Sequence, residues 1–282
     1  MTIGEVLRRA NDHLTTKGSD TPRLDAELLL AHALGRQRIE LYTDFDRPLN
    51  PDELTAFRQL ISRRSRREPV AYILGEWGFR RLMLKVDRRA LIPRPETEIV
   101  VERCLDRLRG LASPRVLDVG TGSGAIALAL LDEHPGVEVT AIDVSPEALA
   151  LARENALAAG AELELAEHDL HTGLPGGEFD LVVSNPPYVA AEELATLMPD
   201  VRDYEPHIAL VGEGVTEAVA VGARAVLRRG GWLVLEIHDE QAQTTREALE
   251  RLGYLDCAVT QDLAQRERVV EGRWQEPAPH RG

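Results

Sequence analysis

The chain has 282 residues, with 33 basic against 47 acidic side chains and a formal net charge of −14. That length allows one large or two modest domains, and the charge has the wrong sign for a protein held to a phosphate backbone by counterion release. Hydrophobic residues make up 44% but aromatic ones only 4%, so the core must be built mainly from Ala, Val and Leu, which favours helices packed on a sheet.

Two cysteines, Cys104 and Cys257, stand far apart with no CxxC partner, so neither a disulfide framework nor a structural zinc site is indicated and a reducing cytoplasm is expected. The opening "MTIGEVLRRANDHL" lacks a continuous apolar signal core, and the longest apolar run, "AIALALL" from Ala125 to Leu131, is far too short to span a bilayer. A soluble protein is expected.

In chain order, residues 1–76 read as a small all-helical domain. Val6, Leu7, Ala10 and Leu14 recur at helical spacing, "TPRLDAELLLAHALG" runs from a Thr-Pro start to a Gly stop, and "NPDELTAFRQLISRR" opens on Asn50 as N-cap with Pro51 at the first helical position. Arg63, Arg64, Arg66 and Arg67 form the densest basic cluster, read as a solvated helix face. Residues 77–90, within "LGEWGFRRLMLKVDRRALIPRPETE", suggest a hairpin connector before a Pro-rich turn.

From 91 to 282 strands alternate with helices. The strand candidates are "RVLDVG", "VEVTAID", "LELAEHD", "FDLVVSN", "GWLVLEI", "YLDCAV" and "ERVVEGRW", and the first five are separated by segments long enough for crossover helices, so the class is α/β. One such helix runs from Ser145 as N-cap to Gly160. The last residues, "QEPAPHRG", are expected to fray.

Three motifs carry chemistry. "VLDVGTGSGAIALALL" puts Asp118 at a strand end and Gly120, Gly122 and Gly124 in the turn behind it, where the lack of Cβ atoms lets backbone approach a ligand. Asp143 ends the next strand about 20 residues on, where a carboxylate accepts from ribose hydroxyls, a feature compatible with NAD or S-adenosylmethionine. The spacing is G-x-G-x-G and lacks the dinucleotide fingerprint, no Lys-Ser/Thr pair marks a P-loop, and Ser123 is not framed as a hydrolase nucleophile. At the end of "AEHDLH", Asp169 is placed to accept from an adenine amine and Leu170 to cover its face. His168 and His171 have no further ligand cluster, so no metal is expected.

The third motif is "SNPPY". Asn185 leaves strand "FDLVV" at the same edge, and the residue before proline is pushed to extended geometry. The Asn185 side-chain oxygen and the Pro186 carbonyl then suit a planar NH₂ group, each taking one N–H, while Tyr188 offers a ring for stacking.

With these residues in view, the chain resembles the peptide chain release factor glutamine methyltransferases, the PrmC or HemK family. The resemblance runs from "DAELLLAHALG" through "EPVAYILGEWGF", "LIPRPETE", "DVGTGSGAIALAL", "SNPPYV" and "YEPHIAL" to "DLAQRERVV". It implies a helical N-terminal domain that engages the release factor, joined by a hairpin to a class I methyltransferase domain with a Rossmann-like, seven-stranded, mostly parallel sheet. It implies methyl transfer from S-adenosylmethionine to the side-chain amide nitrogen of the glutamine in the Gly-Gly-Gln motif of class 1 release factors. Gly120, Thr121, Gly122, Ser123, Gly124 and Asp143 would hold the cofactor, with Leu170 at its adenine and Asn185 also beside it. Asn185, Pro186, Pro187 and Tyr188 would hold the glutamine, and Leu91 or Ile92 would wall the cleft. Neither direct nucleic-acid binding nor a membrane is implied.

The chain departs from the family pattern at Arg80 and Arg81, across Gly212 to Ala218, and at Gln265, where a glycine is expected. Two rival readings remain: an enzyme methylating the exocyclic amine of adenine in nucleic acid, whose signature "NPPY" also resembles, and a non-catalytic cofactor-binding scaffold. The net charge and the lack of a basic recognition domain argue against the first. Intact "NPPY" and "DVGTGSG" argue against the second.

Overall fold

The computed structural model describes residues 1–275. The frayed end expected for "QEPAPHRG" lies, from Glu276 on, outside the described residues.

The chain begins with α1 (Ile3–Thr16), α2 (Pro22–Leu34), α3 (Glu40–Thr43), α4 (Pro51–Arg64) and α5 (Val70–Leu74). Local sequence sets their ends. Thr2 accepts from Glu5 N while the Glu5 carboxylate accepts from Thr2 N, and Asn50 and Glu53 repeat the arrangement at α4, so two otherwise orphaned donors are satisfied at each start. Gly35 stops α2 in the left-handed region, at φ 60°.

These helices form one compact unit, residues 1–76, and residues 197–204 belong to it as well. That segment holds α9 (Pro199–Arg202) and was read from sequence as part of the second domain. Arg64 explains the assignment. Its Nε donates to Asp25 Oδ2 at 2.6 Å and its Nη1 to Asp200 Oδ2 at 2.6 Å; Arg67 also pairs with Asp200, and the Tyr204 hydroxyl donates to Arg66 O at 2.7 Å. The expectation of a solvated basic face is therefore corrected, because Arg64 is buried and its charge is matched on two sides. Removing one partner of such a pair strands the other charge and costs about 3–5 kcal/mol.

The second unit, residues 77–196 and 205 onward, opens with the hairpin of β1 (Glu76–Phe79) and β2 (Leu82–Lys85). It continues through α6 (Thr97–Leu108), β3 (Arg115–Val119), α7 (Ala125–Glu133), β4 (Glu138–Asp143), α8 (Pro146–Ala159), β5 (Glu164–Glu167) and β6 (Phe179–Ser184). Then come α10 (Val215–Val226), β7 (Leu227–Glu236), α11 (Ala242–Leu252), β8 (Tyr254–Gln261) and β9 (Glu267–Trp274). The seven expected strands form one sheet in the order β5-β4-β3-β6-β7-β9-β8, parallel except where β9 runs antiparallel to β7 and β8.

Alternation along the strands fills both faces of this sheet. Val116, Leu181, Val183, Val234 and Val269 turn to a core with Val100, Val101, Cys104 and Leu108 of α6 and the buried side of α7. Leu117, Val182, Leu233, Leu235 and Val270 turn to a core with Val219, Ala220 and Ala223 of α10 and Leu249 of α11. Small alanines let the helices lie close, in keeping with the aromatic-poor composition. Because β3, β4, β6 and β7 run parallel, their carboxyl ends, Val119, Asp143, Ser184 and Glu236, share one edge of the sheet.

Candidate active site

At that edge the second unit holds a cavity of about 420 Å³, within the range of small-molecule and cofactor sites. One wall is the turn after β3. Gly120, Gly122 and Gly124 have φ of 73°, 57° and 82°, so the backbone follows a path that side chains would strain. Gly120, Thr121, Gly122 and Ser123 line the cavity; Gly124 does not, and instead caps α7 with its missing Cβ facing Ala152 at 3.3 Å. Asn155, on the buried side of α8, ties the turn down by donating Nδ2 to Ser123 O at 2.9 Å.

Asp143 lies beside the turn. Its Oδ2 accepts from Gly122 N and its Oδ1 from Ser145 N, both at 2.9 Å. Burial pushes its carboxyl up, and the amides of Ser145, Gly122 and Val144 pull it back. Each oxygen keeps a further lone pair for a ribose hydroxyl. Asp118 sits deeper, with Oδ2 accepting from Thr121 Oγ1 at 2.7 Å and Oδ1 without a partner. Burial pushes its carboxyl up to about 7, the Thr121 hydroxyl opposing and the Asp143 charge adding.

The next wall comes after β5, where Asp169 and Leu170 both line the cavity. Asp169 Oδ1 accepts from His171 N at 2.9 Å, which fixes the short 3-10 turn Leu170–Thr172, and Leu170 packs on the α10 side of the core. The His168 ring faces Gly173 O at 2.6 Å.

After β6, Asn185, Pro186 and Pro187 line the opposite wall. Asn185 Nδ2 donates to Thr97 Oγ1 at 3.3 Å, which commits the donor end of the amide to the protein. Among the described residues no donor reaches Asn185 Oδ1 or Pro186 O. Behind them Val189 makes a parallel bridge to Val211, and Gly212 packs so tightly that a Cβ would stand 2.5 Å from Pro187 Cγ. Gly212, which opens the departing stretch Gly212 to Ala218, is thus what lets Pro187 take its place. Tyr188 is not among the lining residues. Its ring packs on His238, centroids 5.9 Å apart, so any stacking on a substrate must come from the rim and not from the cavity wall.

Leu91 and Ile92 complete the lining. Their segment is anchored by buried Glu205, which accepts from Ile92 N at 3.2 Å and from Arg94 Nη2 at 2.5 Å. Sequence reasoning passed over Glu205, Thr97, Asn155 and Glu236. The signals were present: a polar residue on the apolar side of α8, and a glutamate closing an otherwise apolar buried strand, "GWLVLEI".

A glycine turn followed by a carboxylate on the neighbouring strand, at the carboxyl edge of a seven-stranded sheet with one antiparallel strand, defines a class I S-adenosylmethionine-dependent methyltransferase. Solved structures share the fold: a methyltransferase from Pyrococcus furiosus has a TM-score of 0.52 at 19% identity, covering 68% of this chain and 89% of its own. The Thermus thermophilus 16S rRNA N2 G1207 methyltransferase, in complex with AdoMet and guanosine, also has a TM-score of 0.52, at 18% identity over 71% of this chain and 50% of its own. Residues 5–75 match the PrmC N-terminal domain, and residues 97–200 the methyltransferase small domain. Release factor glutamine methyltransferases from Geobacter sulfurreducens and Chlorobaculum tepidum are each 44% identical to it, covering 96% and 94% of this chain and 96% and 95% of their own lengths. The chain belongs to the release factor glutamine methyltransferase family.

Proposed function

We propose that the protein transfers a methyl group from S-adenosylmethionine to the side-chain amide nitrogen of the glutamine in the Gly-Gly-Gln motif of class 1 release factors. The observation that carries this is the pair of acceptors at Asn185 and Pro186, unused by the protein and facing the same cavity as the glycine turn. S-adenosylmethionine, when bound, supplies a methyl group made electrophilic by its sulfonium. Residues Gly120 to Ser123 and Asp143 would hold it by backbone approach and by the ribose hydroxyls, with Asp169 and Leu170 at the adenine.

An amide nitrogen is a poor nucleophile because its lone pair is delocalised into the carbonyl. Asn185 Oδ1 and Pro186 O each accept one N–H in this proposal, which fixes the nitrogen's direction and favours the acidity that grows on those protons. Orientation of this kind supplies roughly 7–11 kcal/mol in favourable cases. Pro187 keeps the corner stiff, and Tyr188 offers its ring at the rim.

The helical unit is proposed to engage the release factor; it exposes Leu24, Ile39, Tyr42 and Phe45. No helix among the described residues is long and apolar enough to cross a membrane. With the acidic balance of the chain and two free cysteines, a cytoplasmic enzyme acting on protein and not directly on nucleic acid is proposed.

The test is to incubate the protein with labelled S-adenosylmethionine and a purified class 1 release factor and locate the label by peptide mass. Label on the Gly-Gly-Gln glutamine is expected. Label in duplex DNA but not in the release factor would overturn the reading.

A further inference from the structure

We propose that Glu236 is a positioning residue for this reaction: acting through Thr97, its carboxylate decides which end of the Asn185 amide faces the cleft. The inference rests on the function proposed above for Asn185.

The placement comes from the sheet. Strands β6 and β7 are parallel and pair Ser184 with Leu235, so the next residue on each, Asn185 and Glu236, leaves the same edge side by side. Thr97, the first residue of α6, is buried at 4% exposure. Its Oγ1 accepts from Asn185 Nδ2, and its hydroxyl favours the ionised form of the Glu236 carboxyl. Glu236 is 3% exposed and its Oε2 has no hydrogen-bond partner, a costly state that a merely structural residue would not need.

A hydroxyl carries one proton and two lone pairs. When the Thr97 proton points to an ionised Glu236, only lone pairs remain for Asn185, so the amide must turn its NH₂ to Thr97 and its oxygen to the cleft. When Glu236 is protonated, the Thr97 hydroxyl is released to donate, and the amide can reverse. A reversed Asn185 presents N–H to the N–H of the incoming glutamine, donor against donor.

Burial pushes the Glu236 carboxyl up to about 7; Glu96 raises it further, while Thr97, Arg268 and Arg94 lower it. Tyr188 feels the same charges, and His238, two residues beyond Glu236 along the chain, packs on the Tyr188 ring and pairs with Asp239. An acid with this value is ionised above pH 7, so the productive amide orientation is secured there and lost as pH falls through about 7.

The experiment compares the full-length protein with Glu236→Gln, Thr97→Val and Thr97→Ser, following kcat on a release factor, cofactor Kd and the pH profile of kcat. Glu236→Gln and Thr97→Val are expected to lower kcat about tenfold or more, with Thr97→Ser near wild type and cofactor Kd within about twofold. The wild-type fall in kcat below about pH 7 is expected to disappear in Glu236→Gln. If Glu236→Gln fails to fold, the Val and Ser pair at Thr97 still decides, since equal kcat in the two overturns the inference. A second readout needs no methyl transfer: the Asn185 side-chain NH₂ resonances, assigned with Asn185→Asp, in the protein loaded with S-adenosylmethionine. They should titrate near pH 7 and cease to do so in Glu236→Gln or Thr97→Val. Flat wild-type resonances overturn the inference, whereas a normal titration in a protein that leaves release factor unmethylated overturns only the functional reading.

Discussion

At one end of the cleft Asp143 has both carboxylate oxygens held by backbone amides, those of Gly122 and Ser145. At the other end Asn185 is held by one side chain, Thr97, with the buried carboxyl of Glu236 behind it. The first arrangement is made by the path of the chain, with the turn tied at Ser123 O by Asn155. The second is made by side chains alone, so its polarity depends on which of them carries a proton. The proposed cofactor end is thus preorganised by fold, and the proposed amide end by hydrogen-bond direction.

The largest effect that tests this contrast is expected from Asn185→Ala. Turnover on release factor should fall about 10²- to 10³-fold, the range for removing one preorganised polar group from a transition state, with cofactor Kd within a few fold. Equal loss of both, measured by steady-state kinetics and calorimetric titration, would show that the two ends are not separable.

Asp143→Ala should give the opposite signature. Its carboxylate orders the Gly122 and Ser145 amides and lines the cavity where the cofactor ribose is proposed to sit, so cofactor Kd should rise about 10- to 100-fold while kcat at saturation changes little. A fall in kcat at saturating cofactor would place Asp143 in the chemical step instead.

Next in size is a stability effect at Asp118, also on the cofactor side. Its carboxyl holds a proton to about pH 7 in the fold, whereas an unfolded aspartate releases it near about 3.9. Between those values the folded state binds more protons, so this residue's contribution is fully present below about pH 4 and is lost as pH rises through about 7. Asp118→Asn should flatten that decline by at least about 1 kcal/mol, read from thermal unfolding at pH 5 and pH 8. Glu236 carries the same sign, so an unchanged slope in Asp118→Asn would assign the decline to the amide end.

The same contrast explains what the sequence disclosed. The seven strands, the glycine turn and Asp143 were legible because backbone geometry imposes short-range patterns: alternation, glycine where φ is positive, a carboxylate at a strand end. "NPPY" was legible because two prolines mark a rigid corner. Thr97, Glu205 and Glu236 were not singled out: the glutamate closing "GWLVLEI" is a local signal, but each of the three acts on a residue more than fifty positions away, or across a strand pair, and no local pattern records that register. Arg64 misled for a related reason. A run of arginines usually faces water, and only the fold brings Asp25 and Asp200 to it.

The smallest effect concerns the two non-glycine departures that adopt positive φ, Gln265 at 62° and Arg80 at 53°. Arg80 recovers its backbone strain through ion pairs, with Nε and Nη2 both 2.7 Å from the Glu133 carboxylate and Nη1 3.0 Å from Glu102. Gln265 is exposed, and the turn around it is held by Asp262, whose Oδ1 accepts from Ala264 N and Arg266 N at 2.8 and 2.9 Å, not by the Gln265 side chain. Left-handed backbone costs a non-glycine residue about 1–2 kcal/mol, and glycine costs about 0.5–1 kcal/mol in unfolded-chain entropy. Gln265→Gly should therefore stabilise by about 0.5–1 kcal/mol, a rise in Tm of roughly 1–3 °C, with kcat and cofactor Kd unchanged. Arg80→Gly relieves the same strain but abandons three carboxylate contacts, so it should lower Tm. Scanning calorimetry on both decides whether an unusual backbone angle is tolerated here because the side chain is anchored or because the turn is; opposite signs favour the first for Arg80 and the second for Gln265, and equal signs exclude that division.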